Sequence, residues 1–191
     1  MNKNLEQRAE VKYITNTRSW LQAFVIGMNF CPFAKVPFDK DRIQYLVEER
    51  TDLKQILTTV GNAMHHLVAT PLKEVETTLI ILPNALPDFM EYLDFVDLVQ
   101  DFLEESKLEG TLQIATFHPK YQFANTTPHD AENYTNRSPY PMIHLLREES
   151  VSQAVDRYPD VYDIPERNIE KLEQIGIETI KNKWNEFTGT H

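Results

Sequence analysis

Apolar residues between Asn4 and Met28 recur at spacings of three and four, at Trp20, Leu21, Phe24, Val25 and Met28, which predicts a long helix with one buried stripe. Asn29 and the Cys31-Pro32 pair end it, because the residue before a proline is driven out of the α region. Between Arg42 and Glu49 the period changes to two, with Ile43, Tyr45 and Val47 set against Gln44 and Glu48, the signature of a strand with one drier face. Thr51-Asp52 then caps a helix striped by Leu53, Ile56, Leu57, Val60, Met64, Leu67 and Val68, and Pro71 stops it. The run Thr77 to Leu82, TTLIIL, is apolar on both faces and predicts a central strand closed by Pro83. Asp88 caps the next helix, whose inward residues are Phe89, Leu93, Val96 and Leu103, and Gly110 marks the exit toward a strand at Thr111 to Phe117. Met142 to Leu146 predicts a fourth strand. A short helix near Ser150 to Arg157 follows, and a last one opens at Pro165 and runs through Gly176 to about Phe187.

Strands that alternate with helices of more than about ten residues need crossover connections, which favour parallel pairing. The expected fold is an α/β single-domain sandwich over residues 1–191: a mainly parallel four-stranded sheet flanked by helices, its fourth strand free to join in either sense. A chain of 191 residues is long enough to bury a core of its own. No apolar run reaches the roughly 18–20 residues of a membrane span. The N-terminal MNKNLEQRAEVKY has no apolar signal core, so a cytoplasmic protein without a membrane partner is expected. The single cysteine, Cys31, excludes an internal disulfide. A net charge of −10 with no basic stripe argues against nucleic acid. Five glycines, none adjacent to another, exclude the phosphate-loop and dinucleotide fingerprints, and the residues specify no cofactor.

Chemistry concentrates in residues 118–141, a polar, proline-punctuated connection between the third and fourth strands. Compact domains seldom keep a connection longer than about 12–15 residues without elements of its own unless it forms a lid, a binding loop or a site wall. His118 stands at the carboxyl end of the third strand, the end at which open α/β sheets collect ligands, and is the candidate general acid or base. Arg137 offers a planar fork for a carboxylate or phosphate, and Asn133, Asn136, Ser138 and Tyr140 can complete a polar cradle around it. The competing reading is a loop whose side chains cap its own backbone.

Cys31 is a second candidate nucleophile, to be activated by a base such as His118. Its neighbours Phe30 and Phe33 and its place at a helix exit, where the dipole is negative, favour a neutral packed thiol instead. Cys31, His118, His129, Asp130 and His144 show none of the spacings of a compact metal motif, and no metal is assigned. His144 alternates with Met142 and Leu146 and is expected to face the core with a partner. Arg147 leaves the same strand and is the one charge there that merits a test.

Four segments carry a family resemblance: Asn29-Phe-Cys-Pro-Phe-Ala34, Phe117-His-Pro-Lys-Tyr-Gln-Phe-Ala124, Asn133-Tyr-Thr-Asn-Arg-Ser-Pro-Tyr-Pro141 and His144-Leu-Leu-Arg-Glu148. Across roughly residues 10 to 180 the chain resembles the bacterial family known as domain of unknown function 1415. The resemblance implies a single-domain, intracellular protein and brings no catalytic residue with it.

The residues thus lead to the expectation of a cytoplasmic enzyme acting on a small anionic metabolite, with His118 and Cys31 catalytic and Arg137, Asn133, Asn136, Ser138 and Tyr140 holding the substrate. The alternative is a non-catalytic ligand-binding or protein-interaction module built on the same loop. A shared site requires His118 and Arg137 to approach within about 10 Å, since reacting groups must be held at near contact.

Overall fold

Strands form where the period-two and apolar runs place them, at Ile43–Val47 (β1), Thr77–Ile81 (β2), Leu112–Phe117 (β3) and Met142–Arg147 (β4). The computed structural model describes residues 3–158 and 160–188. The ends of the expected 1–191 domain therefore lie outside the described residues. Around the sheet are Lys3–Trp20 (α1), Lys35–Asp39 (α2), Leu53–Ala69 (α3), Phe89–Glu105 (α4), Glu148–Arg157 (α5), Ile164–Ile175 (α6) and Ile177–Thr188 (α7). A π-helical segment, Leu21–Ile26, continues α1, and Ala131–Thr135 forms a 3-10 turn inside the long connection. Both expected N-caps form. Asp52 Oδ1 accepts from the Gln55 amide at 2.9 Å, and Asp88 Oδ1 accepts from Met90 and Glu91.

The strand order is β1-β2-β4-β3. Only β1 and β2 pair in parallel; β4 enters between β2 and β3 and runs antiparallel to both, so the sheet is mixed and not mainly parallel. The reason lies in the connections. Helices α3 and α4 carry the chain over the sheet after β1 and β2, as parallel strands need. The 118–141 segment holds only the 3-10 turn and no crossover helix, so β4 folds straight back beside β3.

The pleat sorts the strand residues onto two faces. Leu46, Ile80, Ile143 and Leu145 face α3 and α4 in a closed core, where Ile80, Ile143 and Leu145 have no exposed surface. Helices α3 and α4 approach closely at Gly61, where an added Cβ would lie 2.7 Å from the Phe102 ring. The opposite face meets Trp20, Phe24, Leu172, Ile180 and Phe187 from α1, the π segment, α6 and α7. The sheet is therefore the middle of three layers.

The helix expected to run from Pro165 to Phe187 is broken in two. Gly176 sits at φ 81°, in the region that favours glycine, and separates α6 from α7. The break lets α7 pack on α1 while α6 packs on the 3-10 turn of the loop. Asn168 and Lys171 of α6 also bond the carbonyls of Phe30 and Met28, which tie down the turn that carries Cys31. No helix among the described residues is long and apolar enough to cross a membrane.

Candidate functional site

The polar side chains of the 118–141 connection bond partly within the connection and partly to the elements that flank it. His118 is 0 % exposed, and both ring nitrogens are engaged: Nε2 lies 3.0 Å from the Leu86 carbonyl and Nδ1 accepts from the Lys120 amide at 2.9 Å. A carbonyl only accepts and an amide N–H only donates, which makes this a neutral Nε2–H imidazole. Burial lowers its pKa. Its ring packs against Phe89 and Tyr92, at 5.3 and 5.0 Å between centroids.

The anticipated cradle is likewise a set of internal ties. Asn133 Oδ1 accepts from the Phe123 amide and the Thr126 hydroxyl, and its Nδ2 donates to Thr127 O at 2.8 Å. Arg137 donates from Nε to Tyr121 O and from Nη2 to Pro128 O, and its guanidinium lies 4.5 Å over the Tyr134 ring. Asn136 donates to Thr116 O, Ser138 to Tyr140 O, and Tyr140 accepts from Asn16. These bonds favour the self-capping loop over the cradle. His118 and Arg137 are neighbours along the backbone, since the His118 amide donates to Asn136 O at 3.2 Å, but their side chains bind separate sets of carbonyls. Cys31 lines a cavity in whose wall neither His118 nor Arg137 takes part.

A second candidate site lies elsewhere among the described residues. A cavity of about 270 Å³ lies between the sheet and the layer built from α1, the π segment and α5. Its floor is the cavity-facing row of the pleat, with Thr77 and Leu79 from β2, His144 and Leu146 from β4, and Ala115 and Phe117 from β3. Leu79 and Ala115 flank His144 in register on the two neighbouring strands. Trp20, Leu21, Val25, Cys31 and Phe33 form the roof, and the π segment sets Leu21 and Val25 on the cavity side while Phe24 goes to the core. The last wall is α5, through Ser150, Val151 and Ala154.

His144 is the polar centre of the floor. Its Nε2 lies 2.6 Å from Thr77 Oγ1, and Thr77 Oγ1 lies 2.6 Å from the carbonyl of Leu145. A threonine hydroxyl has one hydrogen, and the carbonyl can only accept it. Thr77 therefore donates to Leu145 O, and the Nε2–H of His144 donates to Thr77. Nδ1 is left as a lone pair, and no other described group bonds it. The ring lies deep in the protein yet keeps part of its surface open, because it faces the cavity. Desolvation pushes its pKa down to about 4, so it is uncharged at neutral pH. Burial pushes the Cys31 thiol up, only partly offset by backbone donors at Phe33 and Ala34.

Arg147, at the end of the same strand, has the carbonyls of Leu67, Thr70 and Val75 within hydrogen-bond distance of Nη2, whose two hydrogens they share, and so fastens the carboxyl end of α3 to the sheet. Its Nε, the Trp20 indole nitrogen and the Ser150 hydroxyl are buried without a partner, and all three residues belong to the cavity wall. No group of three or more His, Cys, Asp or Glu side chains among the described residues can hold a metal ion. Thr77, Ser150 and Trp20 were not singled out as site residues by the pattern of the chain. The signal available was the row parity that puts His144 of β4 and Thr77 of β2 on one face.

A family model described as "Protein of unknown function (DUF1415)" matches residues 12–182 of the chain. No curated protein and no solved structure matches it.

Proposed function

We propose, for a chain that belongs to the family of proteins of unknown function DUF1415, that it binds a small, largely apolar molecule in the cavity between its sheet and α1, the π segment and α5. The observation that carries this reading is the cavity itself. An apolar cavity of about 150 Å³ takes one benzene-sized molecule, so 270 Å³ has room for a bicyclic one. Its lining is largely apolar with a few polar groups, the composition that suits a small, mostly apolar occupant.

The groups around the cavity favour recognition over proton transfer. A general acid or base works best with a pKa near the operating pH, whereas His144 is held well below neutrality and Cys31 is held protonated. Helix α5, which forms one wall, has no fully buried residue.

The test uses a variant that narrows the space. Ala115 lies beside His144 on the edge strand β3, and Ala115→Leu projects its added carbons into the cavity. Indole at millimolar concentration is expected to raise the melting temperature of the wild-type protein by mass action and to leave Ala115→Leu unmoved. The variant's own midpoint should stay within a few degrees, since it fills open space. An equal shift in both proteins would place the ligand elsewhere; no shift in either would remove the cavity as a binding site for molecules of this kind.

A further inference from the structure

Resting on that reading, we infer that the ligand carries an O–H or N–H donor, which bonds Nδ1 of His144 at the floor of the cavity. The argument is one of hydrogen-bond direction. The Leu145 carbonyl takes the only hydroxyl hydrogen of Thr77, at 2.6 Å, which forces the hydrogen of His144 onto Nε2. The floor thus presents a lone pair, set among Leu79, Ala115 and Phe117. Nδ1 opens onto the cavity, and an occupant that displaces water from it without offering a donor leaves the acceptor unpaired, so an occupant that supplies an O–H or N–H is selected over its isostere that lacks one. A carboxylate brings only acceptors and would meet this nitrogen lone pair against lone pair, so any acceptor of the ligand belongs at the unpartnered donors of the wall, Arg147 Nε, Trp20 Nε1 and Ser150 Oγ, and not at His144. The low pKa of the ring acts in the same direction, because His144 keeps this lone pair at neutral pH.

Two probes of one shape test the inference. Indole and 1-methylindole share a ring system, but only indole has an N–H to give. Calorimetry on the full chain is expected to show indole binding about tenfold tighter or more than 1-methylindole, and benzoate, which has no donor, weaker than indole. In His144→Phe the ring contact with Phe117 is kept and the acceptor removed, so the two indoles should bind alike. Should that variant fail to fold, ¹⁵N spectra of wild-type histidine side chains give the same answer. They should show Nε2 of His144 protonated, and an Nδ1 resonance that moves with indole and stays put with 1-methylindole. Equal affinities for the two indoles, tighter binding of benzoate, or a protonated Nδ1 in the free protein would each overturn the inference while leaving the cavity as a binding site. Failure of both indoles to bind would overturn the cavity reading and this inference together.

Discussion

Asn133, on the long connection, and His144, on the strand that follows it, are both polar side chains inside the protein, yet their bonding differs in kind. Asn133 accepts two hydrogen bonds and donates a third to the turn around it, and it has no exposed surface. His144 makes one bond, to Thr77, and leaves its second nitrogen facing the cavity. The same contrast separates their surroundings. The loop is rich in polar groups and consumes them in its own fold; the cavity wall is poor in polar groups but leaves several unused. A dense polar segment therefore marks a structure that is hard to hold together as readily as it marks a site. The chemical signal is unused bonding capacity next to open volume.

The sharpest way to break this contrast is Asn133→Leu. Leucine matches the volume of asparagine closely enough to keep water out and supplies no polar atom. The Phe123 amide and the Thr127 carbonyl then lose their partner, while the Thr126 hydroxyl keeps the Phe123 carbonyl as acceptor. At about 1–3 kcal/mol for each buried group left unpaired, partly relieved by relaxation, the loss should be about 3–5 kcal/mol. For a domain of this size about 2–4 °C of melting temperature accompanies each kcal/mol, so a fall of roughly 10 °C in a thermal scan is expected. A fall under about 2 °C would mean that the loop does not depend on its internal bonds, and would restore it as a candidate ligand cradle.

A second test sharpens the other half of the comparison through pH. His144 has a folded pKa of about 4 against an ordinary 6.5, with desolvation as the cause. The unfolded chain takes up the proton first as pH falls, so the stability associated with the neutral ring is complete above about 6.5 and is lost between there and about 4. The difference of 2.5 pH units corresponds to at most about 3 kcal/mol. His118 is also lowered by burial and adds to the slope in the same direction. The contribution of His144 is therefore read as the difference between wild type and His144→Phe in urea unfolding at a series of pH values from 7 to 4. Parallel curves for the two proteins would show that the ring is not held neutral by the cavity.

Parts of this architecture are legible in the chain, and physical reasons set where that ends. The α3 stripe from Ile56 to Leu67, the caps at Asp52 and Asp88 and the alternation that sets His144 opposite Ile143 and Leu145 are local, and each formed as its spacing requires. The placing of β4 between β2 and β3 is a long-range choice that no window of residues contains. The apolar stripe of the last helix continues through Gly176, so periodicity hides a break that only the backbone angle reveals. A cavity has no residues of its own: its walls come from α1, the π segment, α5 and all four strands, and Cys31 joins them by way of a turn that α6 holds in place. The loop, by contrast, is contiguous, and contiguity made it the conspicuous candidate.

The smallest expected effect belongs to Arg137→Lys, which asks whether any anion-binding role remains in the loop. Arginine here donates from two different nitrogens to two carbonyls on opposite sides of a turn and stacks over Tyr134. Lysine keeps the charge but has a single ammonium and no plane, so it can satisfy at most one of these carbonyls well and loses the stacked contact. The unpaired carbonyl and the lost ring contact should cost about 1–2 kcal/mol, less than at Asn133 because the outer end of Arg137 is exposed and water can replace the bond to Pro128. The decisive reading is made with a ligand present. If the loop is only structural, the shift produced by indole is the same in wild type and Arg137→Lys, and each melting curve moves by the same interval from its own ligand-free midpoint. An unchanged ligand-free midpoint together with loss of a shift induced by a carboxylate or phosphate would reverse the comparison, making the loop the site and the cavity a packing feature of the sheet.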